Sequence, residues 1–476
     1  MSLRNWARSF FAPVSSRTRA TRRSQNKRSP NQFRPGAESL ESRLNMAGNV
    51  LATVVGPNLF ITGDTESNFL RIEGVTAGTV EVQGVFGTAV NGTLGGEFTA
   101  RNIQNIFMEM GNGDDSATFV LTKLDGLLRF NGGNGSDALV FGEGNNGQNS
   151  FGSLAATMGA GDDGIIVDAS ETHFSVPGAV VISNGDGANT TYLRATTELK
   201  LGPISVTGGA NNDDFRITGG SEGTVTTGPL SVIAGDGGNY TALGGNVVVN
   251  GGIALVGGNK TDSFDALGES KLTVNGSFIA AMGEDINQVS FNESNVVVTG
   301  LVSMTGGAGV DRFIGGTGKF DAFAVSLYLG AGNNPISFFG TTNTIHSTLS
   351  VTTLGGFDGF NAKNLDVQGP AVLNMGDEID LVILNNVRFR GAVSMLLGDG
   401  SDGVYIERFS DDGIGSRFDS SVSIDMGAGL DTVELGLDAN DFVTFAYLLA
   451  NGGSGDDSLF NSPSNVFGFA PTFLSF

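Results

Sequence analysis

Gly306-Gly307-Ala308-Gly309-Val310-Asp311-Arg312-Phe313-Ile314 sets a glycine-rich turn and an acidic residue directly ahead of alternating apolar positions. The frame Gly-x-x-x-[Asp/Asn] returns at Gly111, Gly133, Gly159, Gly185, Gly209, Gly235, Gly258, Gly283, Gly307, Gly330, near Gly355, and at Gly376, Gly398, Gly427 and Gly453. These 14 steps cover 342 residues, so the period averages about 24 residues, as in solenoids of stacked supersecondary units. A repeat of this length cannot bury its apolar face alone and must stack on its neighbours.

Around each turn the apolar residues fall into three short runs. After the turn, pairs such as Leu139 and Phe141, Phe215 and Ile217, and Val433 and Leu435 follow period two, which places them on one inward face of a strand. A second run reads apolar-x-apolar-x-Gly, as in Leu272-Thr273-Val274-Asn275-Gly276 and Val387-Arg388-Phe389-Arg390-Gly391. A third leads back to the next glycine, as in Ile106, Met108 and Met110, or Val422, Ile424 and Met426. The expected fold is all-β, a single-stranded parallel β-helix of about 15 coils with three strands per coil, roughly 70 Å long at about 4.8 Å per stacked strand. Leucine-rich repeats share the period but need an asparagine-centred leucine spacing that is absent, and propeller blades are longer. Phe215, Phe264 and Phe313 fall at equivalent inward positions and are expected to stack as core.

Composition fits this reading. The chain has 476 residues with 74 Gly, 11 Pro and 39% apolar residues, which describes a turn-dense β protein with a real core. It has no Cys, which excludes disulfides and thiolate metal sites. Charge is divided: residues 1–45 are net +8, and the rest is net −31. An acidic body of this kind repels nucleic acid and anionic membrane and favours cations or basic partners. No stretch reaches the length of an apolar membrane-spanning segment.

The domains follow in order. Residues 1–46 form a basic, disordered targeting segment, rich in Arg, Ser, Gln, Asn and Pro. Its closing stretch, Glu38-Ser39-Leu40-Glu41-Ser42-Arg43-Leu44-Asn45-Met46-Ala47, resembles the LEPR-XLL segment of bacterial surface and secreted proteins, through Leu40, Glu41, Arg43 and Met46. Ser42 stands where that motif has proline, and Asn45 where it prefers an apolar residue. The resemblance implies export to the cell surface or beyond. Residues 47–110 are a cap with lead-in strands that shields the first coil, 111–457 the β-helix, and 458–476 a C-terminal cap whose Phe-rich end plugs the last coil.

Gly132-Gly133-Asn134-Gly135-Ser136-Asp137-Ala138-Leu139-Val140 and the Gly306–Ile314 stretch resemble the calcium-binding nonapeptide of the RTX (haemolysin-type) repeat family, with Gly452-Gly453-Ser454-Gly455-Asp456-Asp457 close to it. In that family the nonapeptides run in tandem, whereas here one copy appears per coil. The resemblance implies Ca2+ at Asp115, Asp137, Asp163, Asp311, Asp380, Asp402, Asp431 and Asp457, with the turns shaped by Gly111, Gly133, Gly159, Gly307, Gly398, Gly427 and Gly453. The residues themselves add a condition. From Asp163 to Asn334 the fifth turn position alternates Asp and Asn, so Asn amides can donate to the flanking carboxylates without a metal. At the two ends the column is acidic throughout, and like charges about 4.8 Å apart cost on the order of a kcal/mol each without a cation. Ions, where bound, are expected at the ends.

Catalytic signatures are sparse. His173 and His346 stand in different coils without flanking partners. One charged cluster, Arg388 and Arg390 beside Glu407, Arg408, Asp411 and Asp412, has the residue types of polysaccharide lyases and hydrolases built on β-helices, set against cross-strand ion pairing as the plain alternative. The reading that follows is a secreted or cell-surface structural or adhesive protein without catalytic activity. Its expected partners are extracellular matrix, carbohydrate or a surface protein, and not nucleic acid. A calcium-binding RTX-like protein and a polysaccharide-acting enzyme are the alternatives.

Overall fold

The computed structural model describes residues 48–476 apart from 143–146, 168–170, 196, 220–222, 269–270, 293–294, 409–413 and 439. Residues 1–46, expected from the sequence to be a targeting segment, and the pair Asp411 and Asp412 lie outside the described residues. The described chain is all-β without a helix, a parallel β-solenoid of about 14 turns with three strands per coil.

Each of the three runs becomes its own parallel ladder. The first is followed in register through Ala138↔Gly164, Thr190↔Asp214 and Gly403↔Thr432. The second carries Lys271↔Asn295 and Asp366↔Arg388, and the third Ser205↔Ser231 and Val393↔Val422. The inward alternation is what closes the coil: Leu139, Phe141, Leu272, Val274, Val422 and Ile424 are all buried.

Aromatic rings fill the core in three separate groups. Phe119 and Phe141 stack at 5.5 Å near the first coils. Phe264, Phe278, Phe291, Phe313, Phe320, Phe338 and Phe360 form a mostly edge-on cluster in the middle. Phe389, Phe418, Phe445 and Phe467 stack face to face at 4.9–5.7 Å on the second ladder. The expected column through Phe215 is interrupted, because Phe215 pairs in register with Thr191 and Thr241.

At the N-terminal end the pairing changes sign. Asn49–Val55 pairs antiparallel with Asn58–Thr62, and Phe69–Thr76 pairs antiparallel with Thr79–Gly84. Asn58–Thr62 and Phe69–Thr76 also lie parallel against the first full coil, so their hairpin partners cover edges that would otherwise stay open. At the other end Val466–Phe467 and Thr472–Leu474 add parallel to Val443–Asn451. The Phe-rich tail thus continues two ladders in register and does not fold across the end as a plug.

Candidate functional site

The fifth turn position forms a buried column along one corner of the solenoid. Its links are main chain to side chain: the N–H of each residue donates to Oδ1 of the equivalent residue one coil later, except at Asn287, whose N–H donates to the Val310 carbonyl at 2.9 Å. Asp115 donates to Asp137 at 2.9 Å, Asp137 to Asp163 at 2.7 Å, Asp163 to Asn189 at 2.9 Å and Asn189 to Asp213 at 3.1 Å. The series continues through Asp311 to Asn334 at 2.9 Å, Asp380 to Asp402 at 2.7 Å and Asp431 to Asp457 at 3.0 Å. Asp and Asn serve this link equally, because both present Oδ1 as an acceptor.

Two members of the column were not legible in the repeat frame. Asn68, in the cap, starts it by donating to Asp115 Oδ1 at 2.6 Å. Asp358 joins Asn334 to Asp380, at 2.7 and 2.9 Å, from a turn of the same length in which Leu354 stands in place of the first glycine. The signal for Asp358 was present as the first acidic residue after Gly355.

The second side-chain atom separates the turns into kinds. In Asn turns Nδ2 donates mainly to the carbonyls of its own turn: Asn189 to Gly187 at 3.0 Å, Asn239 to Gly237 at 2.7 Å and Asn334 to Gly332 at 2.9 Å. The expected amide-to-carboxylate link occurs at Asn239 to Asp262 and Asn287 to Asp311, both 2.9 Å; at Asn239 it adds to the main-chain link, and at Asn287 it takes that link's place. Between them, the turns of Asp213 and Asp262 swing a glycine N–H inward, so that Gly209 and Gly258 donate to Oδ2 at 3.0 and 2.8 Å. Gly209 and Gly258 lack the positive φ of Gly185 at 79° and Gly235 at 84°.

The acidic ends break this match. Gly133, Gly159, Gly398 and Gly427 keep the positive φ of the Asn-type turn, between 90° and 113°. The side chain above each is nevertheless a carboxylate, which has no hydrogen to give while ionised. Oδ2 of Asp115, Asp137, Asp163, Asp380, Asp402, Asp431 and Asp457 is buried without a hydrogen-bond partner, as it also is at Asp358, next to the C-terminal run, and at Asp311 in the middle of the column. Burial pushes Asp115, Asp163 and Asp402 up to about 7, and Asp380 up to about 8, with neighbouring carboxylates adding to the rise. Asp137 and Asp311 rise to about 6 for the same first reason.

Such an oxygen is completed by a proton or by a cation. Ca2+ takes six to eight oxygens, and the column supplies one carboxylate per coil with no convergent group of three acidic or histidine side chains among the described residues. The donor set fits calcium in kind, hard carboxylate and carbonyl oxygens, with turn carbonyls having to supply most of the shell. The turns at the C-terminal end are also tied together directly, since Asp399–Gly400, Ala428–Gly429 and Ser454–Gly455 pair as a small parallel ladder.

The charged cluster does not converge. Arg388 pairs with Asp419 at 2.8 Å, Arg390 with Asp366 at 2.5 Å, and Arg408 with Glu434 at 3.3 Å while lying over the Tyr405 ring. Glu407 points inward, accepting from Asn386 N–H at 2.6 Å and Ser416 Oγ–H at 2.5 Å. The histidines, expected to be isolated, each meet a carboxylate: His173 reaches Glu198 at 3.3 Å, and His346 reaches Asp321 at 2.8 Å.

No family model and no curated protein matches the chain. Fold and site therefore define its class, a parallel β-solenoid whose coils are pinned by an internal Asp and Asn ladder.

Proposed function

We propose that this is a secreted or cell-surface structural protein, a rigid acidic solenoid that presents a repetitive surface to matrix, carbohydrate or another surface protein. The observation that supports it best is the ladder itself. The motif acids are spent one per coil on holding successive coils together, and basic outer residues pair with carboxylates along their own strand, as Lys200 with Glu198, or across to a neighbouring one, as Arg390 with Asp366. Stacked turns supply rigidity, and the exposed carboxylates supply weak contacts that gain strength by number. The LEPR-XLL-like stretch at Glu38–Ala47 supports export. Saturable binding of the full chain to a glycan or matrix array, without product release, is the expected result. Turnover of a polysaccharide that is lost in Arg388→Ala would replace this reading with the enzymatic one.

A second reading is favoured by the orphaned carboxylate oxygens at the ends, which suit calcium-loaded turns in an extracellular protein. Here Asp380, Asp402, Asp431 and Asp457, with Asp115, Asp137 and Asp163 at the other end, would hold the ions. Calcium would neutralise the column and take the place of the missing hydrogen-bond donor. Thermal unfolding in chelator and then in millimolar calcium tests it. A midpoint higher by more than about 10 °C with calcium supports ion-loaded turns by linkage, and identical melts leave a metal-free scaffold.

A further inference from the structure

The outward face of the third ladder differs from the rest of the surface. In eleven consecutive coils, from Ala155 and Thr157 to Ser394 and Leu396, its 22 outward positions carry no charged side chain. They comprise eleven Ser or Thr, nine aliphatic residues, Tyr328 and Asn374. Within it Ile233, Val256, Ile279, Tyr328, Val372 and Leu396 are each 39–45% exposed. The position two residues earlier is uncharged in every one of these coils too, with proline at Pro203, Pro229 and Pro370. The other two ladders carry ion pairs along the same span, such as Lys200 with Glu198, Lys319 with Asp321 and Arg216 with Asp214.

We propose that this neutral third-ladder face is where two copies of the chain associate, face to face, in an antiparallel pair. Three observations select a second copy. The body is strongly acidic, so two copies repel each other on the other flanks and can approach closely only where charge is missing. Depletion of charge is also the compositional mark of an interface core. Ten coil steps of about 4.8 Å and three outward positions about 6.6 Å apart give a face of about 48 by 13 Å, so a pair would bury roughly 1,250 Å2, within the about 1,200–2,000 Å2 of specific interfaces. Finally, two identical ladders share one repeat distance, so each step on one copy meets a step on the other along the whole face. A two-fold axis at the middle of the patch places Ala281 opposite its own counterpart.

The test is sedimentation equilibrium of the full chain from about 0.01 to about 100 μM, since interfaces of this size range from μM affinities to far tighter ones. A mass rising from monomer to dimer, maintained or strengthened by added salt, is expected. Ser326→Glu with Ser350→Glu puts two like charges per copy into the interface and is expected to weaken association at least about 100-fold. The same change on the second ladder, Thr226→Glu with Thr344→Glu, is expected to leave it unaltered. Because the natural chain has no Cys, Ala281→Cys gives an independent readout that leaves the face neutral: mild oxidation is expected to join it into a covalent dimer, and Thr226→Cys is not. A monomer at every concentration, including one that binds a neutral glycan, overturns the proposal. So does association that salt dissolves, that both Glu pairs weaken alike, or in which both Cys variants cross-link equally.

Discussion

At the level of single residues, what matters most is whether the second side-chain atom in each turn can donate. Asp402 and Asn239 sit over turns of the same kind, with a positive φ at Gly398 and Gly235 and none at Gly400 and Gly237, yet only Asn239 satisfies its turn carbonyls. Asp402→Asn keeps the Oδ1 that accepts from Asp380 and adds the missing donor. In chelator at about pH 8 it is expected to stabilise by about 1–3 kcal/mol in urea unfolding, and in calcium to lose part of any calcium-dependent gain. The same carboxylates set a pH dependence. Burial raises the pKa of Asp115, Asp163, Asp380 and Asp402 in the fold, so the fold binds their protons more tightly than the unfolded chain does. That stability is complete at low pH and is lost as pH rises through about 7 to 8. In chelator the melting midpoint should therefore fall between about pH 5 and about pH 8, and calcium, which needs the ionised form, should flatten the slope. Gly398 shows why the frame needs glycine. Its φ is 95°, and a Cβ there would lie 1.5 Å from the Gly376 carbonyl oxygen of the preceding coil. Gly398→Ala is expected to cost about 3 kcal/mol or more by chemical denaturation, and Gly359→Ala, where a Cβ meets nothing within 4 Å, about 0.5 kcal/mol or less.

At the scale of strands, period-two alternation made all three ladders legible in advance, because a strand facing a closed core must turn alternate side chains inward. Which rings meet was not legible, since it depends on which coil stacks on which residue of the next. Phe291 illustrates this: it contacts Phe264, Phe278, Phe313 and Phe320, which come from all three ladders. Phe291→Ala is expected to destabilise by about 3–5 kcal/mol in urea unfolding. Phe215, flanked by threonines in register, lacks those ring partners and should cost less on the same change.

For the whole molecule, a solenoid's stability is nearly a sum over coils and their neighbour contacts. Excising 287–333 would remove two coils and bring Asn334 next to Asp262, preserving the alternation of the column. The shortened chain should still fold, with a β-type circular dichroism spectrum and a cooperative melt, whereas removing a single coil should place two like residues in contact and lower the midpoint further.

The sequence by itself determined the repeat, the three strands, the inward faces and the existence of an Asp and Asn column, because these depend on local spacing that each coil states again. Only the tertiary structure decided that the column is linked through main-chain N–H groups, that Asn68 and Asp358 belong to it, that Arg388 and Arg390 are paired away, and that eleven coils share a face without charge. Each of these depends on which residue of one coil lies over which residue of the next, and insertions that vary the step from coil to coil keep that register out of any local pattern.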